Sequence, residues 1–415
     1  MNFLHVLALA LIFFEGFIIH CEGTNNPVTI NPDLPDHIIE DILYEGGIKA
    51  VELAVQNHVS PGAVKNAMSR LFRDCIIAIM PDEVNETSEY YKNGERCIQT
   101  GNRAKLISLF EHFGENARRI HIYYCGMSDV MRRDINENII KRYAHQLTEF
   151  RINTFEDSNI WDEISNDRGE LRFAQVKRFK YTGPITKATF DLNSIFPKLE
   201  SLSFFVRLTN ANCLANVRNL KDIRLFTGSI EEHQLAHIFK NNKQLSKVSL
   251  ALNLHTTETL RAVENHLNRL QIFKIKYVNS EFFRRIDRIY NLTSVTTFDV
   301  KFNETNDLIG DLSFDMPNLK KLVLRGNIID HRIADFINHF EQLDSVEVDS
   351  RCRYDIVKCV KELNKVKEFR TNGFENSPSF KKSFSQMNNV NKYFKKKMPA
   401  WTFSQGTTED FAIFK

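Results

Sequence analysis

One short pattern of apolar and polar positions returns along most of the chain. Its clearest copy is Leu-Lys-Lys-Leu-Val-Leu at 319–324, with apolar residues at the first, fourth and sixth positions. Residues two positions apart point to the same side of a β-strand, so each copy predicts a short strand with anchors on one face. The clear copies begin 21, 25, 25, 25, 24 and 24 residues apart, at Leu199, Leu220, Leu245, Leu270, Val295, Leu319 and Leu343.

Segments with helical periodicity lie between these strands. Apolar residues recur three and four positions apart in 259–267, 280–289, 331–340 and 354–363, which predicts one helix per repeat. A strand and a helix repeated every ~20–29 residues are typical of leucine-rich repeats. We therefore predict an α/β leucine-rich-repeat solenoid, with a parallel sheet on its concave face and helices on its convex face.

Weaker copies extend the array in both directions. They begin at Ala117, Leu147 and Val176, where the spacing indicates insertions, and a degenerate copy begins at Val366. Three weak, seven clear and one degenerate copies give about eleven repeats over 117–372, of which the first three are irregular. Residues 373–415 are predicted to form a C-terminal tail.

The segment before the array is predicted to form a small helical module. Between Leu34 and Tyr44 the apolar residues lie on one helical stripe. Pro35 suits the first turn of a helix, and the glycines at 46 and 47 are expected to end it. The predicted module covers 31–80, with further helices at 48–57 and 63–80.

A linker is predicted between this module and the first repeat. The stretch 81–101 is polar, rich in Glu, Asn and Ser, and without a clear period, so it is predicted to be a loop. A short amphipathic helix at 104–114 follows and ends at a glycine. Together they form a linker and an N-terminal cap helix over 81–116.

The opening helix of the module carries a recognisable motif. Its Leu-Pro-x-x-Ile-Ile-x-x-Ile-Leu sequence resembles the start of an F-box, the module that docks onto the adaptor Skp1 in cullin–RING ubiquitin ligases. That family commonly has a tryptophan in its last helix, and the nearest equivalent here is Phe72. This departure from the family pattern bears on the affinity for the adaptor. An alternative is that the helices only cap the first repeat, because repeat arrays need polar-faced caps. The resemblance implies adaptor contacts by Leu34, Pro35, Ile38, Ile39, Ile42 and Leu43.

The first residues of the chain resemble a secretory signal peptide. Residues 3–14 are apolar except for His5, and a helix of that length spans ~18 Å, less than the ~30 Å hydrocarbon core of a bilayer. Cys21 and Gly23 place small residues before a predicted cleavage after Gly23, so the signal peptide would cover 1–23. The alternatives are a signal anchor that continues to Ile19 and an incorrect start of the chain.

The predicted concave face suggests a binding surface. With anchors at positions i, i+3 and i+5, the residues at i+2, i+4 and i+6 face solvent. Stacking the repeats gives a basic band with two phenylalanines at one end and Glu347 and Asp349 at the other. The hypothesis is a docking face for a protein with an acidic surface, and the alternative is ordinary solvated lysines. The predicted target-binding residues are Phe205, Arg224, Phe226, Lys247, Lys274, Lys276, Lys301, Lys321 and Arg325.

Composition and motifs indicate neither catalysis nor a cofactor. The net charge of +3 is too small to argue for nucleic acid binding, and none of the seven cysteines has C-x-x-C spacing for a zinc site. Zinc-protease, nucleophile-elbow, P-loop and dinucleotide motifs are absent from the sequence. We predict no enzyme activity, no metal and no cofactor.

The layout of signal peptide, F-box-like helices and repeats resembles the secreted F-box/leucine-rich-repeat salivary effectors of plant-feeding gall midges. That resemblance implies export into a host, capture of a Skp1-like adaptor with its cullin ligase, and docking of a target on the repeats, with no membrane role after cleavage. Two alternatives remain. One is an ordinary intracellular F-box/leucine-rich-repeat protein, and the other is a secreted leucine-rich binding module whose helices are only a cap, with glycans at Asn291 or Asn303.

Overall fold

The computed structural model divides the chain into two compact units, Met1–Thr182 and Gly183–Lys415. The predicted signal peptide and the helices predicted at 280–289 and 354–363 lie outside the residues that the structure describes. Those residues are 34–82, 84, 86–154, 173–183, 190–205, 212–226, 230, 232–251, 263, 265–278, 292–302, 315–326, 333–349, 366, 368–372, 403–405 and 411–414.

The first unit combines helices with a six-stranded sheet. Its sheet has the order β2-β3-β1-β4-β5-β6, and all neighbours are parallel except β2 and β3. Between β4 and β5 the helix α4 continues into a π-helical turn at Ile135–Ile140. The elements are α1 (Asp36–Gln56), α2 (Pro61–Asp74), β1 (Ile76–Ile79), β2 (Ser88–Lys92), β3 (Glu95–Thr100), α3 (Arg103–Phe113), β4 (Arg119–Tyr123), α4 (Asp129–Asp134), β5 (Glu149–Asn153) and β6 (Arg178–Thr182).

Two predictions for this unit were wrong. The helix predicted at 63–80 ends at Asp74, and residues 76–79 form strand β1 between β3 and β4. All four residues of β1 are buried, and a fully apolar run has no period that separates a strand from a helix. The loop predicted at 81–101 contains the hairpin β2–β3, whose turn residues Asn93 and Gly94 have the positive φ angles of a type I′ turn.

Helix α1 bends where it was predicted to end. Gly47 adopts φ 78° and ψ −163° and interrupts the helix, which then resumes. Arg96 of β3 donates to the carbonyl of Tyr44 at 2.6 Å, and Glu89 of β2 accepts from the backbone N–H of Ile48 at 3.2 Å. Arg96 and Glu89 also pair with each other, so the hairpin satisfies backbone groups on both sides of the break. A Cβ at Gly47 would collide with the Glu89 carboxylate.

The second unit is built from the repeats. Strands β7 to β14 lie parallel in chain order, and the antiparallel strands β16 and β15 follow β14 within the segment predicted as a tail. The described helices are α5 (Leu192–Ile195), α6 (Glu232–Asn241) and α7 (Ile333–Asn338). The strands are β7 (Ser201–Phe205), β8 (Asp222–Phe226), β9 (Lys247–Ala251), β10 (Ile272–Val278), β11 (Thr297–Phe302), β12 (Lys321–Arg325), β13 (Ser345–Asp349), β14 (Glu368–Asn372), β15 (Phe403–Gln405) and β16 (Phe411–Phe414).

The pattern anchors form the core of this unit. Side chains at the fourth and sixth positions of the clear copies are 0–3% exposed, from Leu202 and Phe204 to Val346 and Val348. The strand register places the same pattern positions side by side, as for Leu322 and Val346. Burying one such side chain stabilises the fold by about 1.5–3 kcal/mol relative to leaving it exposed. The α/β class and the repeated parallel strands are therefore confirmed.

Among the helices in the described ranges, none is both long enough and apolar enough to span a bilayer.

Candidate protein-binding site

The sheet of the second unit has an open face, which we define as the face opposite the anchors. Its side chains form three rows across the strands, at positions i+2, i+4 and i+6 of the repeat pattern. The middle row (i+4) and the last row (i+6) contain most of the residues of the candidate site. The middle row contains Ser203, Arg224, Ser249, Lys274, Asp299, Val323 and Glu347. The last row contains Phe205, Phe226, Ala251, Lys276, Lys301 and Arg325.

The last row begins with an aromatic pair. The rings of Phe205 and Phe226 are parallel within 9°, with centroids 4.0 Å apart. The ammonium of Lys276 lies 4.5 Å from the centroid of the Phe226 ring, a distance at which a cation is attracted by an aromatic face. We call these three side chains the Phe–Lys stack. All of them are partly exposed.

Ala251 explains why a lysine reaches that ring. Lys276 and Phe226 are on strands separated by β9, so their backbones are about 10 Å apart at a strand spacing of ~4.8 Å. The residue between them in the row is Ala251, which leaves room for the lysine stem to cross. The sequence places these residues in one row but does not predict this contact.

Much of the predicted basic band is paired with carboxylates. Lys274 Nζ lies 3.3 Å from Asp299, and Arg325 lies 3.2 Å from Asp299 and 3.1 Å from Glu347. Glu347 also pairs with Lys321 at 3.6 Å. This network crosses β10 to β13, so Asp299 and Glu347 balance part of the positive charge of the band. The long lysine and arginine side chains extend diagonally from one row to another. Assigning the residues of each strand to a face does not predict these contacts.

The other predicted residues of the band differ in environment. Arg224 is exposed and pairs with Asp222 of its own strand at 3.1 Å. Lys247 is exposed on β9, and Lys301 is partly exposed on β11. The open face therefore carries paired charges, exposed lysines and one aromatic pair.

Burial lowers the pKa of Lys276. Its charged neighbours Lys301, Lys274 and Arg325 lower that pKa further, whereas Asp299 raises it. The ammonium of Lys276 is thus already partly desolvated before a partner binds.

The first unit has a charged cluster on the corresponding face of its own sheet. Glu149 is 1% exposed and receives contacts from His121 at 3.0 Å, Arg151 at 2.6 Å and Arg178 at 2.6 Å. We call these four side chains the Glu149 cluster. Sequence reasoning missed it, although stacking the weak repeats in the same way as the clear ones places all four residues on the solvent-facing positions.

The histidine and the two arginines of this cluster keep Glu149 ionised. Burial acts to raise the pKa of Glu149, but the hydrogen bond from His121 and the guanidinium groups of Arg151 and Arg178 lower it to about 2. Burial lowers the pKa of His121, Arg151 lowers it further, and the hydrogen bond to Glu149 opposes them. The carboxylate is therefore charged and the imidazole neutral at pH 7.

The predicted adaptor-contact residues separate into two groups. Ile39 and Leu43 are 1% and 0% exposed, so they pack inside the first unit and the prediction that they contact a partner is corrected. Because they are four residues apart they share one side of α1, and that side faces the core of the first unit. Ile38 is 38% exposed and Pro35 is exposed, while Leu34 and Ile42 are partly exposed.

The described residues also bear on metal and thiol chemistry. Within them, no three His, Cys, Asp or Glu side chains are grouped so that they could hold a metal ion. Cys75, Cys97 and Cys213 are free cysteines. Burial raises the pKa of both Cys75 and Cys213 to about 12, so these two thiols are protonated at neutral pH.

Comparison with known proteins gives a distant structural likeness. No protein-family model and no curated protein matches the chain. A crystal structure of a TLR13–ssRNA13 complex is similar over 60% of this chain and 47% of that chain, with 14% identity and a TM-score of 0.27. The chain thus spans about half the length of that relative. The leucine-rich-type repeats of this chain are defined by the strand register and the buried anchors.

Proposed function

We propose that this chain is a non-catalytic protein receptor that docks a target on the open face of its repeats. The observation that carries the proposal is the Phe–Lys stack, since two stacked aromatic rings left partly exposed beside a row of cations are characteristic of binding surfaces. Exposed lysines at the rim would speed encounter with a partner of opposite charge.

The test is a charge reversal on this face. In the double variant Lys274→Glu and Lys276→Glu, we expect loss of target capture by the tagged full-length chain, measured by quantitative mass spectrometry of crosslinked partners. The matched control is Lys243→Glu with Lys320→Glu, two exposed lysines outside the rows. Thermal unfolding must show that both variants fold. Equal capture by the wild type and the open-face variant would reject the proposed surface.

A second proposal concerns the N-terminal helices. The F-box resemblance and the exposure of Pro35 and Ile38 support docking of a Skp1-like adaptor, which would make the chain a substrate receptor of a Skp1–cullin–F-box ubiquitin ligase. Leu53 and Val55, which are 38% and 56% exposed, are further exposed apolar residues on the second half of α1.

Purified Skp1 provides the direct test of this second proposal. Binding to the full-length chain should be measured by calorimetry, and Ile38→Glu should abolish it. Val130→Glu is the control, because Val130 is a 51% exposed apolar residue elsewhere in the first unit. Absence of binding by the wild type would favour the alternative in which the helices only cap the repeats. That alternative is supported by the ring of Phe72 on α2, which packs 5.6 Å from the ring of Phe110 on α3.

We also propose that the chain is exported after cleavage of residues 1–23, as the layout of the secreted effectors implies. Sequencing the N-terminus of the native protein tests this. A mature chain that begins at Thr24 is the expected result, and a native chain that begins at Met1 would instead favour the intracellular alternative.

A further inference from the structure

Lys276 differs from four other strand cations of the open face in how its charge is balanced. Lys274, Arg325, Lys321 and Arg224 each lie within 3.6 Å of a carboxylate oxygen. Within the described part of the chain, no carboxylate is at ion-pair distance from Lys276, and its close contact is the Phe226 ring. The ammonium of Lys276 therefore contacts an aromatic face and, among the described residues, has no carboxylate partner of its own.

The surroundings of Lys276 favour an incoming anion. Lys274, Lys301 and Arg325 act on it as like charges, and the carboxylate that acts in the opposite direction is Asp299. Asp299 is 4% exposed and already accepts contacts from Lys274 and Arg325. A new carboxylate beside Lys276 would thus meet an excess of positive charge.

The Phe–Lys stack is also preorganised. The ammonium is partly buried before binding, so a new ion pair requires less removal of water than one formed by a fully solvated lysine. The cation–π contact reduces the number of side-chain conformations that must be lost on binding. The stacked Phe205 and Phe226 rings, which are partly exposed, offer apolar contact beside it.

We propose that the Phe–Lys stack is a subsite for an acidic segment of the target, in which one Asp or Glu carboxylate binds Lys276 and an adjacent apolar side chain packs on the ring edges. This inference rests on the proposed receptor function and names the chemistry of the partner. Lys247 serves as the internal comparison, because it is an exposed lysine on the neighbouring strand β9 and has no aromatic platform in the described structure.

The experiment is selection of a displayed random peptide library on the immobilised full-length chain. We expect enriched peptides to carry Asp or Glu next to an apolar residue. For one enriched peptide, Lys276→Met should weaken binding about tenfold or more, in the range found for truncating one partner of a charge pair. Lys247→Met should change it less than about twofold. Fluorescence polarisation gives both dissociation constants, and thermal unfolding confirms that the variants fold.

A double-mutant cycle identifies the contact itself. Changing the acidic residue of the peptide to its amide should weaken binding to the wild type about tenfold but have little further effect on Lys276→Met. Additive losses would overturn the pairing between Lys276 and the peptide carboxylate.

Ala251→Val supplies an independent check on the geometry. The larger side chain should obstruct the lysine stem and weaken the same peptide without any change of charge. Unchanged affinity in this variant would contradict the proposed arrangement.

Different outcomes would reject the receptor function and the acidic-segment subsite. If Phe226→Ala weakens the peptide and Lys276→Met does not, the receptor function stands and the acidic-segment subsite is rejected. If enriched peptides bind the Phe226→Ala variant and the Lys274→Glu, Lys276→Glu variant as tightly as the wild type, the open face is not the docking surface. A library that yields no enriched peptide counts against both.

Discussion

The two units place a buried carboxylate on the strand face in different ways. Glu149 of the first unit is 1% exposed and collects a histidine and two arginines. Asp299 of the second unit is 4% exposed and has two partners, Lys274 and Arg325, with side chains that are 40% and 30% exposed. The arginine partners of Glu149 are exposed to a similar degree, at 32% and 55%, but its third partner, His121, is only 5% exposed. One carboxylate closes a compact cluster, and the other belongs to a network spread along the sheet.

The difference teaches which charges serve the fold and which are available to a partner. In the Glu149 cluster, both carboxylate oxygens are occupied, and Arg178 alone directs two nitrogens at one of them. In the second unit, Asp299 and Glu347 share Arg325 between them, and Lys276 remains outside the network. We therefore expect the first cluster to govern stability and the second surface to govern binding.

The largest effect is expected from Glu149→Gln. The amide places N–H donors against the cationic donors of Arg151 and Arg178 and removes the charged acceptor that three side chains share. Because the two arginine side chains are 32% and 55% exposed and can be hydrated, the free energy of unfolding should fall by about 2–3 kcal/mol. Urea unfolding of the full-length chain measures this loss. Glu137→Gln is the control, because Glu137 is 55% exposed and pairs with Lys141 one helical turn away, and its change should stay within about 0.5 kcal/mol. Similar losses in the two variants would remove the distinction between a buried and a surface pair.

A smaller loss is expected from Asp299→Asn. The amide oxygen keeps one acceptor, and water can reach both Lys274 and Arg325, so the free energy of unfolding should fall by about 1–2 kcal/mol. The same variant removes a negative charge near Lys276 and should tighten an acidic peptide two- to threefold or so at low salt. Asp335→Asn, on the exposed side of α7, should leave both quantities unchanged. A loss as large as that of Glu149→Gln, or weaker peptide binding, would contradict the comparison between the units.

Much of the second unit follows from the sequence, because its anchors repeat. Each clear copy of the pattern became a strand, and the register aligned Leu322 with Val346 as the pattern requires. The first unit was harder to predict. Strand β1 is apolar at every position and so has no period, while the Asn93–Gly94 turn was a hairpin signal hidden in a polar stretch.

The candidate site could be predicted only in part. The period of two along a strand correctly assigned Phe205, Phe226 and Lys276 to one face. Contacts between rows depend on side-chain length and on what lies between, as for Lys276 reaching across Ala251. Burial of Ile39 and Leu43 likewise depends on how α1 packs, because an apolar stripe has an inner side and an outer edge that the sequence does not distinguish.

The smallest effect is a pH dependence that belongs to the first unit. The pKa of His121 is lowered in the folded state, so the unfolded chain binds more protons between that pKa and ~6.5, the usual value for histidine. The contribution of His121 is therefore fully present above about pH 6.5 and is lost as the pH falls through its folded pKa, at up to ~1.4 kcal/mol per pH unit. Glu149 adds a similar loss at lower pH, because its hydrogen bond from His121 and the nearby arginines hold its pKa at about 2 in the fold, below its ordinary value of 4.5. In the window from about pH 6.5 to 4.5, His266 contributes in the same direction, because burial lowers its pKa too, and the share of His121 is the part of the slope that its substitution removes.

His121→Gln tests whether His121 causes this pH dependence. The quantity compared is the slope of stability against pH, which does not depend on how much the substitution itself destabilises the chain. Urea midpoints of the wild type should fall as the pH is lowered through this window, and the slope should be shallower in the variant. His145→Gln should retain the wild-type slope, because His145 is exposed. Affinity for an acidic peptide at the Phe–Lys stack should be the same in His121→Gln and the wild type. An altered slope together with altered peptide affinity would mean that the two faces do not have separate roles.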